Sequence, residues 1–482
     1  MRYIHFPYTM LIVLLMLTAS CSDWLDVRPD TEIKEEVLFS TEEGYKSALT
    51  GIYKRMAKQE LYGGNMSFDF MEKLVQRYDN YNSWEVSNAD RAKLYEYDKD
   101  DNARYSLATI WAEQYTTIAN INNILKNLEE QGAEVLDATL FDIIKGEALG
   151  LRAFIYFDLL RLWGPVYSID PGLKSLPWRD KLSSEQVPLM PAKDVIKHIL
   201  ADLDQAEELL QDDTLDGVVD HPFLQNRNLR MNKFAVKALK ARVYLWSGDT
   251  SNAYRYANEV IETSGLSLST DNKRDPSMTS EYLFGLYVYN MEEELKDIFP
   301  PSTSGLLTST PAPSILYISI DNGRDVFEVG RLGVNDTRYK NQHGFLHANN
   351  RMLLRKYMAV SELSSFTKDR VPLIRLTEMY YIRGECGSLE EGVNDLNTVR
   401  KTRGIPSRFN LKADGSFSRE MLIDELNKEY QKEFFGEGQW FFFLKRHNME
   451  TFHRCPLQQG MRDFYVMPIP KAEQEHGLGS RE

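Results

Sequence analysis

FAVKALKARVYLWSGDTSNAYRYANEVIETSG, residues 234–265, has the pattern of two helices that are each followed by a glycine. Glycine commonly ends a helix because it adopts a left-handed backbone without strain. A second stretch, LIRLTEMYYIRGECGSLEEGVNDLNTVRKTRG at 373–404, repeats the two glycines 139 residues later (387 − 248 = 139). Such helix–glycine–helix units are typical of tetratricopeptide-type hairpins. Because the repeats are degenerate, the sequence predicts a helical scaffold rather than a regular solenoid.

Amphipathic patterns predict further helices along the chain. In FSTEEGYKSALTGIYKRM, Ser40 is the expected N-cap and Glu43 completes a capping box, ahead of an apolar stripe from Tyr45 to Met56. Other helices are predicted from about Ser106 to Glu130, from about Asp137 to Gly164, and from Asp194 onward.

The segment between the two hairpins has a different amino-acid composition. Residues 266–350 are rich in Ser, Thr, Pro, Gly and Asn, and contain two β-like runs, YLFGLYVYN (282–290) and SILYISI (314–320). A long segment of this kind is usually a functional loop region carried on a rigid frame. The sequence therefore predicts an all-α fold with tetratricopeptide-like hairpins, long irregular loops and a few short strands.

The N-terminus has the features of a lipoprotein signal peptide. The apolar run at 10–17 is far shorter than the roughly 20 residues of a membrane-spanning helix. Three small residues then lead into Cys21, as in a lipobox, although Thr18 stands where leucine is usual. Residues 1–20 are thus predicted to be removed, and Cys21 to carry the lipid. An ordinary secreted protein or an uncleaved anchor are the alternatives.

Composition narrows the possible partners. The formal net charge of −14 argues against nucleic acid as a partner, because its phosphates require clustered Lys and Arg.

The cysteines after Cys21 are Cys386 and Cys455, which are too few for a disulfide framework. The sequence leaves open whether these two form a single disulfide. Aromatic residues make up 12% of the chain, and those on loops would suit a sugar, because they offer rigid, flat contact surfaces.

Several stretches, taken in order, resemble one family. They span the chain from Cys21 to about Ala472, and they are CSDWLDVRP, RAFIYFDLLRLWGPV, NKFAVKALKARVYLWSGD, LTEMYYIRGEC, LNTVRKTRGIP, KEYQKEFFGEGQWFFFLKRHNM and YVMPIPKAE. This ordered set resembles the SusD/RagB family of surface lipoproteins.

The resemblance implies one SusD-like domain at 21–482. It comprises an N-terminal helical part (about 21–265), a loop-rich insert (about 266–350) and a C-terminal RagB/SusD-type part (about 351–482). It also implies a place on the outer face of the outer membrane, held by lipidated Cys21, beside a SusC-type TonB-dependent transporter. The implied role is capture of glycans for import, without catalysis or a cofactor. A transporter lid with little ligand affinity, peptide capture, and a surface glycosidase are the alternatives.

The first candidate ligand site is RYDNYNSWEVSN, residues 77–88, which combines flat rings with polar side chains. Its ligand-binding candidates are Tyr78, Asp79, Tyr81, Asn82 and Trp84. In the resembled family, ligand contacts often come from the loop after the first helix, where this cluster falls. The alternative is that the aromatic residues pin a long loop to the helices.

The second candidate is VGRLGVNDTRYKNQHGF, residues 329–345, where Arg338 and Asn341 could bond sugar hydroxyls or belong to a solvated loop. His343 and His347 have the spacing of metal ligands in a helix, but the glycine-rich context disfavours a helix, and no metal site is predicted.

GEGQWFFFLKRHN, at 436–448, is interpreted as structural. Trp440 and the three phenylalanines that follow are expected in the core. Glu437 and Arg446 are expected to form an internal ion pair or to cap a helix.

Overall fold

The computed structural model describes residues 34–79, 94–183, 185–217, 221–300, 314–358, 367–457 and 460–475. Helices of all types account for 54% of the described structure and strands for 7%, so the predicted all-α class is confirmed. The helices of eight or more residues in these ranges are α1 Glu42–Met56, α2 Asp101–Asn127, α3 Ala138–Trp163, α4 Ala192–Leu209, α5 Lys233–Ser247, α6 Thr250–Thr263, α7 Leu376–Cys386, α8 Leu389–Thr402, α9 Arg419–Glu433 and α10 Gln439–Arg446.

Short helices and strands complete the described structure. The short helices are Glu35–Leu38, Phe70–Leu74, Ala133–Val135, Met291–Glu294, Ile320–Val326 and Lys471–Glu475, and a π-helical turn at Leu128–Gly132 extends α2. The strands are β1 Lys174–Pro177, β2 Leu189–Pro191, β3 Tyr282–Tyr287, β4 Ile318–Ser319, β5 Phe345–Ala348, β6 Arg351–Leu354 and β7 Arg370–Arg375. Antiparallel pairs join β1 to β2, β3 to β7, and β6 to both β4 and β5.

The long helices pack in chain order. Each of α1 to α10 contacts the next one along the chain, including α6 and α7, which more than 100 residues separate. The segment between α6 and α7 leaves this row of helices, forms β3 to β7 and returns. The described part of this segment is therefore a side structure on a continuous row of helices.

Both predicted hairpins are present, α5–α6 and α7–α8. Gly248, Gly265 and Gly404 have φ values of +84°, +74° and +82°, as helix-ending glycines should. Gly387, by contrast, has φ −75° and ends α7 in an extended conformation. The next helix begins with a capping box in which Ser388 and the backbone and side chain of Glu391 bond each other. The repeated glycine positions thus share a place in the hairpin but not one conformation.

The central helix α3 is buried along most of its length, because its sequence is apolar on every side. Asp137 caps it by accepting a hydrogen bond from Leu140 N at 2.9 Å, as its predicted start requires. Arg152 on this helix donates two hydrogen bonds of 2.7 Å to the carboxylate of Asp202 on α4. A bidentate buried pair of this kind fixes the two helices along their axes as well as side by side.

Two local predictions are corrected. α1 begins one residue later than expected, and Thr41 rather than Ser40 caps it, accepting from Gly44 N at 3.1 Å. Both Ser40 and Thr41 are good cap residues, so composition alone does not decide which of them caps α1.

The run SILYISI forms only the two-residue strand β4 before a helix starts at Ile320.

The 436–448 stretch is structural, with one difference in pairing. Trp440 and the phenylalanines after it are buried, as predicted. Glu437 and Arg446 do not pair with each other, because Glu437 accepts from Arg375 and Lys356 while Arg446 binds Glu385.

The two cysteines of the described chain do not pair. Cys386 ends α7 and Cys455 lies after α10, and both are free thiols. The possible bridge between them is therefore not formed.

A close approach of α7 and α8 offers a test of this packing. A Cβ atom at Gly392 would lie 2.5 Å from the carbonyl oxygen of Gly384 and 2.6 Å from Leu422 Cδ2. We expect Gly392→Ala to lower the free energy of unfolding by roughly 1–3 kcal/mol, because the helices must separate. Denaturant unfolding measures this change.

Gly51 in α1 is the matched control, since a Cβ atom there meets nothing within 4 Å. Gly51→Ala should stabilise the protein by up to about 1 kcal/mol through helix propensity alone. Equal effects of the two substitutions would contradict the close packing of α7 and α8.

Candidate functional site

Tyr78 and Asp79 form the described stem of the first candidate loop. Tyr78 is 1% exposed, and its hydroxyl donates to the carbonyl of Phe68 at 2.7 Å. Its ring packs edge-on against Phe435, with 5.9 Å between centroids. This burial favours the alternative interpretation, in which the tyrosine anchors the loop, over contact with a ligand.

Asp79 joins three separate parts of the chain. Its carboxylate accepts hydrogen bonds from Ser319 N at 2.6 Å and from the Asn322 amide at 2.8 Å, and it pairs with Arg454. Its own backbone N–H donates to the carbonyl of Tyr317 at 2.8 Å. Burial acts to raise the pKa of Asp79, but the Arg454 guanidinium and these hydrogen bonds outweigh it and hold the pKa below its usual value.

The other candidates of this loop lie outside the described residues. Tyr81, Asn82 and Trp84 belong to the segment between Asp79 and Leu94, so their predicted ligand contacts stay predictions.

Arg338 of the second candidate loop is inside the protein. Its side chain is 3% exposed and forms ion pairs with Asp336 at 2.7 Å, Glu429 at 2.8 Å and Glu433 at 3.0 Å. Burial alone would lower its pKa, but these carboxylates raise the pKa well above its usual value. The guanidinium thus serves the frame, which argues against the predicted contact with a ligand.

Asn341, by contrast, lies on the surface. Its side-chain oxygen accepts a hydrogen bond from His347 N at 2.9 Å, so it also shapes its own turn. His347 is in strand β5, and the helix required for a His343–His347 metal pair is not formed. No group of three or more potential His, Cys, Asp or Glu metal ligands occurs in the described ranges.

The short helix Ile320–Val326 brings the two candidate regions together. Its Asn322 binds Asp79, while a Cβ atom at Gly323 would lie 3.8 Å from the ring of Tyr339 in the second loop. Exposed side chains of this helix, Asp321 and Arg324, act electrostatically on the Tyr339 hydroxyl. We call the surface formed by these residues with Arg454 and Asn341 the loop junction.

The loop junction places polar side chains beside one aromatic ring. It offers a half-buried tyrosine ring, a carboxylate, a guanidinium and amide groups, which suit hydrogen bonding to hydroxyls. The sequence did not identify Asn322 or Arg454, since their partner Asp79 lies 243 and 375 residues away.

Comparisons with known proteins match this fold. A family model described as "Starch-binding associating with outer membrane" matches residues 23–245, and the SusD family model matches residues 243–475. Together they cover nearly the whole chain. The chain belongs to the SusD/RagB family. Proteins of this family are binding proteins associated with the outer membrane.

Individual SusD-like relatives are distant. The SusD-like protein P38 of Formosa agariphila is 22% identical over 96% of this chain and 97% of its own length. A SusD-like protein of Bacteroides ovatus is 26% identical over 53% of this chain, and the match spans 44% of that relative.

Solved SusD-type structures share the fold. A SusD superfamily protein from Bacteroides thetaiotaomicron superposes with a TM-score of 0.68 at 22% identity, covering 90% of this chain and 98% of its own. A SusD-like carbohydrate-binding protein from Bacteroides vulgatus gives 0.65 at 17% identity, covering 85% and 84%. In the part of the present chain that the structure describes, no helix is long and apolar enough to cross a membrane.

Replacing Arg338 tests whether it holds the frame. Arg338→Ala should lower the free energy of unfolding by roughly 3–5 kcal/mol, because three buried carboxylates lose a partner. Arg331→Ala, which removes an exposed partner of Glu328, should change it by less than about 0.5 kcal/mol. Unfolding in urea measures both. A stable Arg338→Ala protein that no longer binds ligand would instead make Arg338 a ligand contact.

Acid should weaken the same network. Burial acts to raise the pKa of Glu429, but Arg338, Lys432 and Arg400 outweigh it and lower the pKa to about 2. An unfolded glutamate titrates near 4.3, so the stability from this group is present above about pH 4.3 and is lost as the pH falls toward 2.

Glu429→Gln removes this titration. Its free energy of unfolding should therefore fall less steeply than that of the wild type between pH 5 and 3, as measured by denaturant unfolding at a series of pH values. Parallel curves would show that Glu429 has an ordinary pKa.

Proposed function

We propose that this protein is a cell-surface lipoprotein that captures oligosaccharide and passes it to a SusC-type TonB-dependent transporter. The observation that carries the proposal is membership of a carbohydrate-binding family together with the loop junction. There, the stem of the aromatic 77–88 loop meets the insert through Asp79.

The chemistry of the junction region supports a sugar ligand. The 77–88 loop supplies Trp84, Tyr81 and Asn82, and the described surface beside its stem supplies Asn341 and the ring of Tyr339. Aromatic rings stack on the apolar faces of sugars, while amides and charged groups bond the hydroxyls. In this proposal Asp79 positions the loop, and Trp84 is the main ligand contact.

Lipidation of Cys21 supports the proposed location. Acyl chains at about 0.8 kcal/mol per buried CH₂ would hold the domain at the outer membrane, and several chains would make this anchoring stable.

Three alternatives make different predictions. A lid with little affinity of its own would co-purify with the transporter but bind no free glycan. A peptide-capture protein would bind oligopeptides, and a surface glycosidase would release new reducing ends.

Affinity electrophoresis of residues 22–482 in gels that contain a panel of polysaccharides tests the proposal. We expect at least one glycan to retard the wild type. Trp84→Ala should weaken this binding by up to about tenfold, because one stacking contact contributes roughly 0.5–1.5 kcal/mol.

Tyr289→Ala is the control, since Tyr289 is 77% exposed and lies outside both candidate loops. It should be retarded as strongly as the wild type. Equal retardation of Trp84→Ala and the wild type would remove Trp84 from the site. Absence of retardation by every glycan, with stable co-purification of the transporter, would favour the lid.

A further inference from the structure

A separate cleft lies on the outer face of α1. Its volume is about 950 Å³, within the upper part of the roughly 300–1,000 Å³ range of small-molecule sites. Its lining includes Ser47, Thr50 and Gly51 of α1, several residues between His221 and Arg230, and Tyr287 at the end of β3. None of its lining residues belongs to the loop junction.

A rigid stack of side chains forms one wall of the cleft. The Arg230 guanidinium lies 4.1 Å from the centroid of the Phe223 ring and 4.9 Å from that of Tyr53. Arg230 Nε also donates to both carboxylate oxygens of buried Glu147 at 3.1 Å. Arg230 thereby fixes the Phe223 ring, which Lys46 Nζ also approaches at 5.7 Å from the centroid, and this preorganised cluster is part of the surface that a ligand would meet.

The charges around the cleft are balanced. Arg230 is paired with Glu147, and Lys46 is paired with Glu42 on the adjacent turn of α1. Two further charged residues of the lining, Glu43 and Lys54, have opposite signs. The cleft therefore presents polar groups without a strong excess of either charge. This favours a neutral polar ligand over a phosphate, a sulfate or a uronic acid.

The other lining groups suit hydroxyls. The amide-bearing residues Gln225 and Asn226 line the cleft together with the hydroxyl-bearing residues Ser47 and Thr50. Tyr287, 51% exposed, adds a second aromatic ring to that of Phe223. Aromatic surfaces combined with amides and hydroxyls match the alternating apolar faces and hydroxyl edges of a pyranose.

Gly51 is the least expected residue of the lining. A glycine inside a helix costs about 1 kcal/mol relative to alanine. Here neither packing nor backbone requires it, because a Cβ atom would meet nothing within 4 Å and its φ is not positive. What the glycine does is keep the floor of the cleft open between Ser47 and Lys54.

We propose that this cleft is a second saccharide-binding site, specific for neutral oligosaccharides and independent of the loop junction. The inference rests on the proposed function only for the class of ligand. Two sites on one surface protein would hold a long glycan at two points, and the second contact would benefit from the high effective concentration that the first provides.

The test uses residues 22–482 and a neutral polysaccharide that retards the wild type, with isothermal titration of its oligosaccharides to count sites. Gly51→Leu fills the cleft floor in a helix that tolerates leucine, and we expect binding about tenfold weaker or one site fewer. Tyr287→Ala removes a ring of the lining without adding bulk and should also weaken binding. Thermal unfolding should show both variants folded.

Two controls lie outside the cleft. Gly415→Leu makes the same substitution at another exposed glycine with nothing within 4 Å, and Tyr289→Ala removes an exposed tyrosine two residues beyond Tyr287. Both should bind as the wild type does. Trp84→Ala should keep the binding that Gly51→Leu loses.

Wild-type affinity and site number in both Gly51→Leu and Tyr287→Ala would overturn the second site. If Trp84→Ala then abolished binding, the proposed function would stand with one site. A wild type that binds no glycan would overturn both proposals. A cleft variant that binds glycan normally but no longer co-purifies with the transporter would also overturn the saccharide assignment and make the cleft a protein interface.

Discussion

The carboxylate of Glu433, at the end of α9, is the point on which the architecture depends. It accepts from Arg375 at 2.8 Å, from Arg403 at 2.7 Å and from Arg338 at 3.0 Å, and all four side chains are almost completely buried. These arginines come from the end of β7, the residue after α8, and the insert. Burying such charges is costly unless the geometry is close to ideal. The network therefore ties the insert to the helical frame in one arrangement.

Two further carboxylates extend this constraint along the chain. Glu281, just before β3, pairs with Arg375 at 3.3 Å and Arg403 at 2.8 Å, and Glu437 pairs with Arg375 from the turn that leads into α10. Each guanidinium thus bridges carboxylates from different elements. This distribution leaves little freedom for the insert to shift as a body, so the surface loops that it carries stand on a rigid base. Rigid support is what a binding site built on loops requires.

The sequence predicted what depends on local chemistry. The hairpins, the extent of α3 and the strand within YLFGLYVYN follow from periodicity, caps and glycines that lie close together in the chain. Arg338 could not be placed in this way, because a loop rich in Asn, Asp and Arg has the same composition whether its arginine faces water or Glu429, 91 residues away. The α1 cleft was also missed, since residues 221–230 come to lie over a helix face that by itself is only polar and exposed.

The candidate loops contain buried polar groups that hold the fold together and exposed polar groups of the same chemistry that could bind a ligand. Asp79 has the carboxylate that a sugar hydroxyl would require, yet that carboxylate is used by Arg454, Asn322 and the backbone of Ser319. A residue so engaged cannot exchange partners for a ligand without releasing the stem of its loop. In the proposed site, direct recognition therefore falls to side chains other than that of Asp79. Ligand specificity could then change through those side chains while the charged network beneath the loops keeps its geometry.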